Sequence, residues 1–246
     1  MGKTIKNQTP KKGPSFFMNI SENLNFIKKE IQEICQKSQR KADSVTLIAV
    51  SKTKPVSMVD EALKAGQEHF GENYVQELLE KYEFIKNRHI HWHFIGHLQR
   101  RKVKDIVGKI DLIHSVDSID LMQEINKRAQ EKNILQNVLI QINLAKEETK
   151  GGIFEENVIS FFKNINPSFN HVRITGLMTL PPFFEDPEKA RPYFKKLREL
   201  KEEINKQNIY PYPLTELSMG MSHDYAVAIE EEATIIRVGT KIFGER

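Results

Sequence analysis

The chain lacks most of what would make a secreted, membrane-bound or strongly charged protein. Its one cysteine, Cys35, excludes an internal disulfide framework and suits a reducing compartment. No apolar run reaches the roughly 18 residues of a membrane span, and no signal-peptide core follows the N-terminus. Lys6 stands where a myristoylation signal needs Ser or Thr. A soluble, cytoplasmic protein is the expectation. Charge of one sign is scarce too: 37 Lys+Arg against 33 Asp+Glu leaves only +4. The signs interleave, as in Lys195-Lys196-Leu197-Arg198-Glu199, which reads as a solvated helix face and not a nucleic-acid track. There is no Gly-x-Gly-x-x-Gly after the first strand candidate, so a dinucleotide site has no support.

What is present suits one globular domain. A length of 246 residues with 39% hydrophobic content can bury a full core without a structural metal. Residues 1–18 are the exception. Lys3, Lys6, Lys11 and Lys12 stand beside Pro10, Gly13 and Pro14 with little apolar content, so this stretch reads as a disordered extension to a domain over 19–246.

From Asn19 the pattern becomes periodic. Leu24, Ile27, Ile31 and Ile34 mark an amphipathic helix to about Ser38, with Cys35 as a small packing residue beside the stripe. Ser44–Val50 is a β-branched run with almost no charge, the mark of a strand buried on both faces. Met58–Ala65 follows as a helix closed by Gly66. Further strands are expected at Glu68–Phe70, Trp92–Ile95, Leu112–Ser115, Asn137–Asn143, Val172–Met178, Thr215–Ser218 and Ile235–Val238. Helices are expected between them at Tyr74–Ile85, Leu98–Val107, Ser118–Glu131, Phe154–Asn164, Asp186–Asn205 and Tyr225–Glu231. Pro192 makes the helix at Asp186 start late or kink. About eight strand–helix units in ~250 residues suit a closed (β/α)8 barrel, an α/β fold, better than its rival, the open doubly wound sheet.

In such a barrel, functional groups sit at the C-terminal strand ends. The first strand delivers Lys52 and Lys54. An amine poorly solvated at the end of an apolar strand becomes nucleophilic toward carbonyls, though both lysines read equally well as surface loop residues. Ser218-Met219-Gly220-Met221-Ser222 follows the seventh strand and Gly239-Thr240 the eighth. Small residues and a helix start at His223-Asp224 could gather N–H groups on a phosphate, or merely turn the chain. Arg237 stands alone inside a β-branched run, so burial would oblige it to find an anion or an acceptor. His89, His91 and His93 alternate, with His97 nearby, but no Asp, Glu or Cys completes a metal set at ligand spacing, and no metal is expected. Met178, Met219 and Met221 read as rim packing.

Taken in order, Ala49–Pro55 (AVSKTKP), Phe70–Glu77 (FGENYVQE), Trp92–Gln99 (WHFIGHLQ), Gly176–Met178, Leu217–Ser222 (LSMGMS) and Arg237–Thr240 (RVGT) resemble the pyridoxal phosphate homeostasis proteins. The resemblance runs from about Asn19 to the end. It implies a barrel similar to the N-terminal domain of alanine racemase, carrying pyridoxal 5′-phosphate (PLP) as an internal aldimine on Lys52. It also implies that Ser222, Gly239 and Thr240 hold the phosphate and Arg237 faces the pyridine nitrogen. Asn73, Met178, Ser218 and Met221 belong to the same implied site. One departure is Arg100-Arg101, where the family has a small polar residue and Asn. With Lys102 and Lys104 these make a basic cluster, read as a solvated helix start because no aromatic residues interleave for stacking.

Two functions follow from the resemblance. One is a non-catalytic, monomeric carrier that buffers PLP or delivers it to apo PLP-dependent enzymes. The other is a racemase or decarboxylase of the alanine-racemase type, which needs a second β-domain. The chain's end at Arg246, just past the last strand, leads us to expect the first. A phosphosugar barrel using Lys52 would suit the two small-residue loops but leaves Arg237 unexplained.

Overall fold

The computed structural model describes residues 19–85, 89–147, 150–165 and 167–245, so the expected extension over 1–18 lies outside the described residues. Strands and helices alternate from the start: α1 (Ile20–Lys37), β1 (Thr46–Val50), α2 (Val56–Lys64), β2 (His69–Glu72), α3 (Val75–Ile85), β3 (His91–Phe94) and α4 (Val103–Ile106). Next come β4 (Leu112–Val116), α5 (Ile119–Glu131), β5 (Gln136–Asn143), β6 (Ile153–Phe154) and α6 (Val158–Lys163). The chain closes with β7 (Val172–Thr179), α7 (Arg191–Lys206), β8 (Glu216–Met221), α8 (Tyr225–Glu230), β9 (Ile235–Val238) and α9 (Thr240–Phe243).

Every strand pair is parallel. β1 lies between β2 and β9, and the β4–β5 pairing joins the two halves, so among the described residues the sheet has no free edges apart from the two-residue β6 beside β5. This is the expected (β/α)8 barrel; the open sheet would leave two unpaired edges. A small core of Ile48, Leu112, Leu139, Met178 and Ile235 fills the barrel, and a larger one lies between strands and helices. Met219 is buried in that outer layer and Met221 is exposed, so the three methionines do not share the rim.

α1 begins with a capping box, the Asn19 side chain accepting from the Glu22 N–H and the Glu22 carboxylate from the Asn19 N–H. Its stripe Ile20, Leu24, Ile27, Ile31 and Cys35 is buried, and it packs on α2, α8 and α9.

Several boundaries differ from the sequence expectation. β1 starts at Thr46, because Ala42–Ser44 forms a 3-10 turn. β2 runs on through Gly71 and Glu72, which pair with His93 and Phe94. β8 runs on through Met221 with a register shift after Ser218, so Ser218 to Met221 are strand and not loop. The Leu98 and Phe154 helices shorten to α4 and α6, each behind a 3-10 turn. Pro192 sits in the first turn of α7, where its missing N–H costs nothing. Arg100 and Arg101 are exposed, with Arg100 3.3 Å from Asp120, as a solvated helix start should be.

Candidate functional site

Neighbouring strands bring the predicted residues to one rim. The β1–β9 register sets Ile48 beside Arg237 and Ala49 beside Val238, so the loops that follow, Ser51–Lys54 and Gly239–Thr240, are also adjacent. A side chain at Gly239 would come within 3.3 Å of the Val50 carbonyl, which is why these backbones can lie so close.

Lys52 is half-buried in a tight turn closed by the Lys54 N–H on the Ser51 carbonyl at 3.1 Å. Thr53 takes a φ of +62°, a costly value for a β-branched residue, and its N–H donates to Glu77 Oε2 at 2.7 Å. Lys54 is committed elsewhere: its Nζ donates to the carbonyls of Phe243, Gly244 and Glu245 at 3.3, 3.0 and 2.8 Å.

Beneath that turn lies a charge pair that sequence reasoning missed. Lys81 Nζ, buried on α3, donates to the Ser51 carbonyl and to Glu72 Oε1, both at 2.7 Å. Ser51 Oγ donates to the same carboxylate oxygen at 2.6 Å. Burial pushes the Glu72 carboxyl above its usual value, against the pull of Lys81. Glu72 Oε2 and Asn73 Oδ1 are buried with no hydrogen-bond partner among the described residues. The missed signal was a lysine at position 81 in the stripe formed with Leu78 and Ile85.

Arg237 is almost fully buried, as its lone charge in an apolar strand implied. Its guanidinium donates to Ser218 Oγ at 2.5 Å and to the Thr179 carbonyl at 2.9 Å, a partner sequence reasoning did not foresee. Desolvation lowers its pKa to about 10, with Asp224 opposing, so it remains a cation at neutral pH. Ser218 and Arg237 therefore act as one unit. Met178 belongs to the barrel-filling core, one strand from Ser218.

Above them, the Gly239 N–H donates to Ser222 Oγ at 3.2 Å, so these two loops do meet. Thr240 opens α9 and is exposed. Asp224 Oδ1 accepts the Met221 N–H at 2.6 Å, and burial raises that carboxyl. The Met221 N–H is thus already taken, and α8 has only six residues with which to favour an anion. No group of three or more potential metal ligands occurs among the described residues. Of His89, His91, His93 and His97, His93 bonds to His114, which the sequence pattern does not single out, inside the barrel, while His91 pairs with Asp111 and His97 is exposed.

The alanine racemase N-terminal domain family model matches residues 23–246. The pyridoxal phosphate homeostasis protein of Aquifex aeolicus is 48% identical over 229 residues, 93% of this chain and 99% of the relative. That of Haemophilus influenzae is 38% identical over 231 residues, 93% of this chain and 97% of the relative. Among solved structures, PipY of Synechococcus elongatus with PLP bound superposes with a TM-score of 0.78 at 35% identity, covering 92% of this chain and all of that one. The chain therefore belongs to the alanine racemase N-terminal domain family, and within it to the pyridoxal phosphate homeostasis proteins.

Proposed function

We propose that this protein binds PLP at the C-terminal rim, holds it covalently on Lys52, and serves PLP homeostasis as a reservoir and not a catalyst. The carrying observation is the β1–β9 register, which sets an amine loop, a buried guanidinium and a hydroxyl-bearing turn side by side. The relatives' shared name and the PLP bound by PipY support the reading. Bound there, the cofactor's aldehyde condenses with the Lys52 amine to a Schiff base, releasing one water.

This chain's residues suit that role. Lys54 is tied to three carbonyls, and Lys52, in the turn beside the Gly239 loop, is the amine assigned to the aldehyde. Ser222, Gly239 and Thr240 serve the phosphate, while Asn73 and Met221 line the ring. Asn73 Oδ1, buried without a partner among the described residues, is an acceptor waiting for a donor. Arg237, pinned by Ser218 and Thr179, opposes protonation of a ring nitrogen placed near it. An unprotonated ring is a poor electron sink, which favours storage over carbanion chemistry. Apo PLP-dependent enzymes are the acceptors in this reading, and one chain supplies every residue named, so a monomer suffices.

The test is spectroscopic. PLP added to the full chain should give a visible Schiff-base band that borohydride abolishes, with the reduced adduct on the peptide containing Lys52. Lys52→Ala should lose the adduct and Lys54→Ala should keep it. An adduct on Lys54 overturns the assignment. Turnover of any amino acid at ~1–10³ s⁻¹ overturns the reservoir in favour of an enzyme.

A further inference from the structure

The histidines of the barrel form a continuous hydrogen-bonded line. His69 Nδ1 lies 3.0 Å from His93 Nε2, His93 Nδ1 3.0 Å from His114 Nε2, and His114 Nδ1 2.9 Å from Ser218 Oγ, which accepts from Arg237. One end is at the N-terminal face, where half-buried His69 lines a hollow of about 390 Å³ with Lys28, Asp43 and Glu68. The other end is the Ser218–Arg237 pair of the candidate site. His93 and His114, between them, are buried.

A neutral imidazole has one donor and one acceptor nitrogen, so a line of neutral rings must point one way throughout. In the first sense His69 donates to His93, His93 to His114, and His114 to Ser218. Ser218 Oγ then accepts from both His114 and Arg237, and its own hydrogen is left for the site. In the second sense Ser218 donates to His114 and the line runs back to His69. Ser218 then keeps a lone pair for the site. An imidazolium at His69 has no acceptor, so protonating His69 forbids the second sense.

We propose that His93 and His114 are positioning residues that carry the protonation state of His69 to Ser218, fixing whether its hydroxyl offers a hydrogen or a lone pair to a ligand. In passing from the second sense to the first with His69 charged, the hydrogen of each of the three bonds crosses to the atom nearer His69. The hydrogen that leaves the fully buried Ser218 Oγ is replaced by one proton taken, in net, from solvent, and His69 alone gains charge. The inference goes beyond the cofactor reading and does not rest on it, because every bond of the line is made within the protein.

The surrounding charges are consistent with this division of labour. His69 is stacked on His91 at 4.6 Å, and His91 is bonded to Asp111 at 3.1 Å. Burial and His91 disfavour the charged His69, whereas Asp111 and Glu68 favour it. His114 faces His93 and Arg237, both of which disfavour charge on it, and burial holds it well below its usual value. Burial, with His69 and His91, holds His93 down to about 3. Both inner rings therefore stay neutral, and Asp224 is the carboxylate that favours charge on Arg237.

The test is long-range ¹H–¹⁵N spectroscopy of the full chain, ring-labelled at histidine and without added PLP, across the imidazole range of about pH 5 to 8. His93 and His114 should remain neutral and shift together to the Nδ1–H tautomer, with the midpoint at which His69 titrates. His69→Gln should abolish that midpoint in both rings. Unchanged tautomers across the His69 titration overturn the proposal, and so does the same shift surviving in His69→Gln. The wild-type titration decides alone if the variant does not fold. A chain that passes here but gives no Schiff-base band with PLP defeats the cofactor reading only.

Discussion

Lys81 and Glu72 hide a charge pair beneath the turn that carries Lys52. Neither side chain is solvated, so removing one partner strands the other in a medium that penalises its charge. Lys81→Met should cost about 3–5 kcal/mol in urea denaturation at neutral pH. The double variant Lys81→Met/Glu72→Gln should recover most of that loss, since a neutral pair carries no stranded charge. The inner histidines give a second expectation. Folded His93 titrates at about 3 and His114 well below its usual value, whereas both bind protons near ~6.5 when unfolded. The unfolded chain thus binds more protons in between, and stability rises with pH. This contribution is complete above ~6.5 and is lost on acidification at up to about 1.4 kcal/mol per pH unit for each ring. Urea midpoints measured from about pH 7 down to pH 5 should fall accordingly, and His114→Gln should flatten the slope. At this scale the sequence shows charge in unusual places and not its partners. Arg237 in an apolar strand was visible as an obligation. That Ser218 and Thr179 meet it depends on β7, β8 and β9 being neighbours, which no local pattern records.

Among the elements, β8 departs most from its expected form. Ser-Met-Gly-Met-Ser has the composition of a turn, yet pairing with β9 resumes at Met221↔Arg237 after the register shift. Gly220 makes this possible at φ +90°, where an added Cβ would lie 2.6 Å from the Ala228 Cβ on α8. Gly220→Ala should therefore push α8 outward, cost about 1–3 kcal/mol, and weaken PLP binding by displacing Met221 and Ser222. Gly66 is the control: it also has positive φ, +77°, but an added Cβ meets nothing. Gly66→Ala should cost only ~1 kcal/mol, for backbone conformation, and leave PLP affinity unchanged. Thermal melts and PLP titrations separate the two. β2 shows the complementary limit of sequence reading. Gly71 and Glu72 are poor strand formers, and the cation that allows Glu72 into the sheet lies nine residues further on, in α3. β4 and β9 lie within a residue of their expected bounds, because each opens on a pair of large aliphatic residues, Leu112-Ile113 and Ile235-Ile236.

For the whole molecule, the barrel closes by pairing its first strand with its last, so Lys52 and Arg237 come together only when the ring is complete. PLP binding should accordingly be linked to global folding. At 100 times its Kd, PLP should add about 2.7 kcal/mol of stability. For a chain of this length that is roughly 5–10 °C in Tm, read by calorimetry. Lys52→Ala should show a smaller shift, and an unshifted wild-type melt would separate binding from ring closure. The strand–helix count made the ring legible in the sequence, because its period repeats along the whole chain.

α1 and the turn after it are held against the end of the ring by bonds from Asn23 to the Ile242 carbonyl, from Arg40 to the carbonyls of Ile229 and Ala233, and from Tyr225 to Glu30. On the buried face of α1 lies Cys35, with no exposed surface and a thiol that burial makes reluctant to ionise. Because the sequence has a single cysteine, a thiol reagent has one target, and it can react only while α1 is lifted away. The rate of labelling is thus a clock for that opening, and α9, which carries Thr240 and Ile242, links the clock to the rim. If Thr240 grips a ligand as proposed, that grip should tighten the helix on which α1 rests, and rim occupancy should be read as a slowing of Cys35 labelling on the far side of that helix.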